Sequence, residues 1–291
     1  MTLFPAARRF LIQCAAFAVL APGLAGAALA SDENGATYGA GRNRFSLATG
    51  SPGELGLLRQ LAEEFARRAD AHMVWVKAGT GASLKLLQDK KVDMAMVHAP
   101  AQVEKALKEG WAAGTTLIGS NEFYIVGPKS DPAGIARASS AADAYRRIAE
   151  AKARFVSRGD NSGTHQKEMQ VWQKAGLQPA GDWYIVTKDF MTASLKRANA
   201  EGAYFMSDSS TWIMEKGVAP DLAILYRGDR FLVNTYHAVA APPGATPGRD
   251  TAEKFIAFVA SPDGQKIIGG YGRERFGEGL YNDSAYAKQY D

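Results

Sequence analysis

The chain is poor in the residues that would cross-link it or equip it for metal chemistry. Of its 291 residues, one is cysteine and four are histidine. The cysteine, Cys14, lies inside an apolar N-terminal run, so the remainder of the chain has no thiol to pair. That excludes a disulfide scaffold and leaves stability to the size of the core. His72, His98, His165 and His237 are scattered and form no HExxH pattern, so neither a metal site nor a cofactor is expected. Runs of one charge are missing too. Lysines and arginines alternate with acids, and the formal net charge is +4. No basic stripe marks a nucleic-acid partner. Beyond the N-terminal run, no segment reaches the ~18 apolar residues that a membrane span needs.

What is there begins with an export signal. Arg8 and Arg9 precede an apolar run over residues 10–26, interrupted by Pro22, and Ala28, Leu29 and Ala30 stand before Ser31. The pattern is that of a cleavable signal peptide over residues 1–30, which places the mature chain in the periplasm. Its removal takes away two arginines and no acids, so the net charge falls from +4 to +2. Residues 31–43 are polar and glycine-rich and are expected to be flexible.

From residue 44 onward, strand and helix patterns alternate. Strands are expected over 44–49, 72–77, 92–98 and 123–127, with helices over 51–71, 83–91 and 101–109. A second region follows with helices over 141–151, 162–175, 193–200 and 210–216, and strands over 153–157, 183–186, 203–206 and 223–226. A strand over 237–241 and helices over 251–260 and 265–271 close the chain. Such alternation predicts an α/β fold with largely parallel sheets. The expected organisation is two lobes: 44–128 as the first part of lobe I, 129–231 as lobe II, and 232–291 as the return to lobe I with a C-terminal tail. Two crossovers, near 127–131 and 228–234, would act as a hinge. In folds of this kind ligands sit at the carboxyl ends of strands, against helix N-termini.

Three strand–helix junctions carry candidate chemistry. The first is SRGDNSGTHQKE, residues 157–168. A strand delivers Arg158 to a sheet edge, glycines allow close approach, and Ser162 and Thr164 bring hydroxyls to a helix start. Arginine adds a fork of donors suited to an oxyanion. Asp160 would orient Arg158 or accept a proton from the ligand. The other two junctions are ATGSP, with Thr49 and Ser51, and GTGAS, with Thr80 and Ser83. Together they suit an anion held in a cleft between lobes. His98, at a strand end, and His165, in a first helical turn, are candidate cleft residues. Two other readings stand beside this one: a plain helix cap with a salt bridge, or a hydrolase's nucleophile loop, since GDNSG loosely echoes GDSGG. The inserted asparagine and the missing G-x-S-x-G elbow weigh against the hydrolase.

The same segments resemble the tungstate-binding proteins of bacterial ABC transporters. The resemblance is carried by SRGDNSGTHQKE and by GTGASLKLLQDKKVDMAMVHAP, and extends through EFYIVGPKSDPAGI, GAYFMSDSSTW and NTYHAVAAPP. It covers residues 45–271 and implies a two-lobed type II periplasmic binding protein. That would be a monomer and not an enzyme, taking a small anionic ligand, tungstate or molybdate first, and handing it to a membrane permease. The pattern departs from the family in the first loop, where ATGSPGELGL stands for a threonine-rich segment, and at residues 207–211, where SDSST stands for TDRGT. Those departures keep another anion, such as phosphate, a sulfonate or a small carboxylate, in play as the alternative.

Overall fold

A computed structural model describes residues 35–291. The expected signal peptide and residues 31–34 lie outside the described residues. In chain order the strands are β1 (Gly35–Tyr38), β2 (Asn43–Thr49), β3 (Ala71–Lys77), β4 (Met94–Val97), β5 (Ala113–Pro128), β6 (Phe155–Ser157), β7 (Tyr184–Val186), β8 (Tyr204–Asp208), β9 (Leu222–Tyr226) and β10 (Val233–Ala240). The helices that matter for the site are α1 (Ser51–Glu54), α2 (Leu57–Ala69), α3 (Thr80–Gln88), α4 (Pro100–Lys108), α5 (Ala141–Glu150), α6 (Gly163–Lys174), α7 (Met191–Glu201) and α8 (Ser209–Glu215).

The strands follow the order β1-β3-β2-β4-β10-β5-β8-β6-β7, with β9 also on β5. β2 pairs in parallel with β3 and β4, and β6 in parallel with β7 and β8. The joining strands β5 and β10 are antiparallel to their neighbours, so each lobe is a mixed sheet. The long strand β5 belongs to both lobes. Its first part, through Glu122, pairs with β10 in lobe I, and from Phe123 it pairs with β8 in lobe II. The change of sheet therefore falls several residues ahead of 127–131. The preceding stretch, AGTTLIGSNE, is too polar and glycine-containing to announce a strand, yet it is held by β10 on one side.

Both sheets are covered on both faces, which follows from the period-two alternation of strand side chains. In β2, Phe45 and Leu47 point into one core with Leu58, Leu61 and Phe255, while Ala48 faces a second with Leu87, Val97 and Val239. In β5, Phe123 and Ile125 join Tyr145, Phe155 and Trp172, whereas Tyr124 and Val126 join Leu195 and Phe205.

Two local expectations are corrected. Residues 35–38 are not loose: β1 pairs antiparallel with β3, Gly35 opposite Val76, and Tyr38 is buried in the lobe I core. An edge strand needs partners on one side only, so its polar composition did not reveal it. The helix expected over 51–71 is two helices. Gly56 adopts a left-handed conformation, φ 88°, between α1 and α2, and Leu55 O accepts a hydrogen bond from Tyr271.

Candidate functional site

On the lobe II side, β6 ends at Ser157 and the next residue is Arg158, which is only 4% exposed. Its Nε donates to the backbone oxygen of Asp189 at 3.1 Å, and Nη2 donates to Asp160 Oδ2 at 2.5 Å. Nη1 has no protein partner among the described residues. The other oxygen of Asp160 accepts the Ser162 N–H at 3.1 Å, so one carboxylate ties the arginine to the loop. Burial pushes Asp160 upward, but the Arg158 charge and the Ser162 hydrogen bonds outweigh it and hold the carboxyl below its usual range. Asn161 turns the chain with φ 57°, and Ser162 then caps α6, its Oγ accepting the His165 N–H at 3.3 Å. The hydroxyl of buried Thr164 has no protein partner among the described residues. The N–H groups of Gly163 and Thr164 have no intrahelical acceptor and lie at the positive end of the helix dipole.

The lobe I loops divide into scaffold and donors. Thr49 is buried, and its hydroxyl donates to Met96 O at 2.8 Å. Its own carbonyl accepts Trp75 Nε1 at 3.0 Å. The Ser83 hydroxyl donates to Ala78 O at 3.0 Å. Both protons are thus committed to backbone oxygens. The hydroxyls of Ser51 and Thr80 have no protein partner among the described residues. The N–H groups of Thr80, Gly81 and Ala82 open α3 without intrahelical acceptors.

The lobes meet at these loops. A Cβ built on Gly79 would lie 3.4 Å from Ser162 Cβ, and one on Gly81 2.7 Å from Asn161 Nδ2. A Cβ on Gly163 would lie 2.2 Å from His98 Cε1. His98 follows β4 and stacks on Tyr236 of β10, ring centroids 5.0 Å apart. Asn234 Nδ2 donates to Asn121 Oδ1 at 2.7 Å, which turns its Oδ1 toward His98 Nδ1 at 2.9 Å. The imidazole therefore carries a proton on Nδ1. Burial lowers its pKa to about 4, against the Asn234 hydrogen bond and with help from the Arg158 charge. Asn121 and Asn234 face each other across β5 and β10 where the chain passes between lobes.

Arg158, Ser162, Thr164 and Asp160 thus come together in one loop, opposite Thr80 and His98. The half-buried His165 turns its Nδ1 to the Asn161 N–H, accepting it at 3.0 Å, and its ring makes no hydrogen bond to the Ser162 hydroxyl among the described residues. In the segment 207–211, buried Asp208 caps α8, accepting the Thr211 N–H at 2.9 Å and the Thr211 hydroxyl at 2.7 Å. Sequence reading did not single out Lys77, Asn121, Asn234 or Phe190. Lys77 ends β3 beside the GTGAS loop, a position that could have flagged it. A surface hollow of about 450 Å³ is lined by residues between Pro262 and Tyr286 and shares none with these loops.

Two α/β lobes joined by paired strands, with a buried arginine and two helix N-termini facing one another, are the architecture of a solute-binding protein. Residues 32–263 match the PBP superfamily domain, and the chain belongs to that superfamily of periplasmic binding proteins. It is 32% identical over 241 residues to the tungstate-binding protein TupA of Peptoclostridium acidaminophilum, covering 81% of this chain and 84% of the relative. To the TupA of Campylobacter jejuni it is 33% identical over 213 residues, 71% of this chain and 78% of the relative. The crystal structure of the tungstate ABC transporter from Geobacter sulfurreducens matches with a TM-score of 0.72 at 37% identity, covering 80% of this chain and 100% of that one. The family resemblance carried by the sequence motifs therefore holds.

Proposed function

We propose that this chain is an extracytoplasmic solute-binding protein of an ABC transporter that holds an oxyanion, tungstate or molybdate, between its lobes. The observation that carries the reading is Arg158: buried, aimed by Asp160 and the Asp189 carbonyl, with Nη1 unpartnered beside the open N–H groups of α6. Arg158, Ser162 and Thr164 grip from lobe II, and Thr80 and Ser51 from lobe I, aided by the N–H groups of α3. Thr49 and Ser83 shape the loops that present them. His98 and Asp160 border the ligand without donating to it. The chain is exported by its N-terminal signal to the periplasm, works as a monomer, opens about β5 and β10, and delivers its ligand to a membrane permease.

A second reading keeps the fold and changes the anion to phosphate, a sulfonate or a small carboxylate. Lobe I favours it in one respect: the Thr49 and Ser83 protons are committed elsewhere, and Pro52 in α1 has no N–H. Calorimetric titration with tungstate, molybdate, sulfate, phosphate and simple carboxylates separates the two. Arg158→Ala is expected to weaken binding of the true ligand ~10- to 150-fold, the cost of a lost charged hydrogen bond to a buried anion. Unchanged binding in that variant would remove the arginine from the site and the reading with it.

A further inference from the structure

Phe190 stands at the edge of the cleft, immediately before α7, and is 37% exposed. It belongs to neither buried cluster of lobe II, so the core does not account for it. Two cations from opposite lobes converge on its ring. Lys77, the last residue of β3 in lobe I, places Nζ 4.4 Å from the ring centroid. Arg158 of lobe II places its guanidinium carbon 5.6 Å from the same point. Both cations are aimed. Lys77 is paired at 2.8 Å with Glu54 of α1, and the Lys77 side chain is only 25% exposed. Arg158 is held by the carbonyl of Asp189, the residue before Phe190. The 187–190 loop therefore both orients the anion-binding arginine and presents an aromatic ring to the other lobe.

We infer that Phe190 and Lys77 form a latch across the cleft mouth that holds the lobes shut over a bound oxyanion and slows its release. The inference rests on the oxyanion reading above. A cation within about 6 Å of an aromatic face is attracted to it, more strongly as water is excluded. This contact joins a strand end of lobe I to a loop of lobe II, so it exists only when the lobes meet. Opening breaks it and returns the ring to water. An interaction made after encounter acts on departure and leaves arrival largely alone. Because the ring also touches Arg158, the latch reports on the occupied side of the cleft rather than on the hinge.

The test is stopped-flow tungstate binding, read by intrinsic tryptophan fluorescence, for wild type, Phe190→Leu, Lys77→Met and the double variant. Each single substitution is expected to raise the off-rate ~2- to 30-fold, the span of cation–π strengths. Phe190→Leu should leave the on-rate within about twofold of wild type. The double variant should release tungstate no faster than the worse single one, since the two residues make one contact. Unchanged off-rates, or effects that multiply in the double variant, overturn the latch. If wild type takes up neither tungstate nor molybdate, the reading of those two as ligand has failed, and the latch is then decided without ligand. A short bis-thiol-reactive cross-linker applied to Lys77→Cys/Phe190→Cys should join the two positions within one chain; no cross-link rejects the contact.

Discussion

At the scale of single residues, closure depends on the absence of one side chain. Gly163 opens α6 directly beneath the His98 ring, where a Cβ would lie 2.2–2.5 Å from Cε1, Nδ1 and Nε2. That ring is fixed by Asn234 and by its stack on Tyr236, so it has little room to yield. Alanine suits a first helical turn, and the three atoms nearest the added Cβ all belong to the His98 ring of the other lobe. Gly163→Ala is therefore expected to fold normally and to bind its anion ~5- to 150-fold more weakly, because forced overlap costs about 1–3 kcal/mol. Adding His98→Ala should recover much of the loss in the same titration. A double variant as weak as the single one would show that the clash is not with His98.

At the scale of elements, α6 carries two functions on one rod. Its start faces the cleft, and its second turn buries Glu168, 2% exposed, among the lobe II aromatics. Glu168 Oε1 accepts the Tyr184 hydroxyl at 2.6 Å and Trp172 Nε1 at 3.2 Å, yet burial pushes its pKa up to about 7. The folded chain thus binds the extra proton above 4.5, and stability from this group falls as pH rises from 4.5 toward 7. His98 works in the other direction. Its folded pKa of about 4 lies below 6.5, so the unfolded chain binds the extra proton between them and stability rises with pH. The two oppose each other over most of the same window. Glu168→Gln keeps the hydrogen-bond acceptor and removes one of them. Relative to wild type, the variant should gain stability with rising pH by up to ~1.4 kcal/mol per unit. Denaturant unfolding at pH 5 and pH 6.5 measures it; parallel pH profiles would mean Glu168 is ionised in the fold.

At the scale of the whole molecule, the C-terminal tail binds the halves together. Leu280 and Tyr281 are buried in the lobe I core. Asn282 exchanges backbone hydrogen bonds with Ser120 of β5, at 2.8 and 3.0 Å. Leu280 O accepts the hydroxyl of Ser210 on α8 at 2.8 Å, and Arg230, beside the second crossover, donates to Gln289 O. The tail therefore closes over the strands about which the lobes turn. Leu280→Ala should cost about 2–5 kcal/mol of stability, as for other leucines removed from a packed core. The check is chemical denaturation; a loss under ~1 kcal/mol would mean the tail is only laid on the surface.

Much of this protein was legible in its order of residues. Strand and helix periods are properties of neighbours along the chain, so the two α/β regions, the loops between them and Arg158 at a strand end could be read directly. Which donors are free could not. Thr49 and Thr80 look alike as hydroxyls in glycine-rich turns, but one proton is taken by Met96 O and the other has no protein partner among the described residues. Likewise β5 changes sheets within a continuous strand, and Gly35–Tyr38 pairs despite a polar sequence. Lys77 meets Phe190, and Gly163 meets His98, across a cleft that brings distant segments together. Local propensity is set by residues a few positions apart. Hydrogen-bond partners, burial and contact across the lobes depend on long-range packing, and only the tertiary structure decides them.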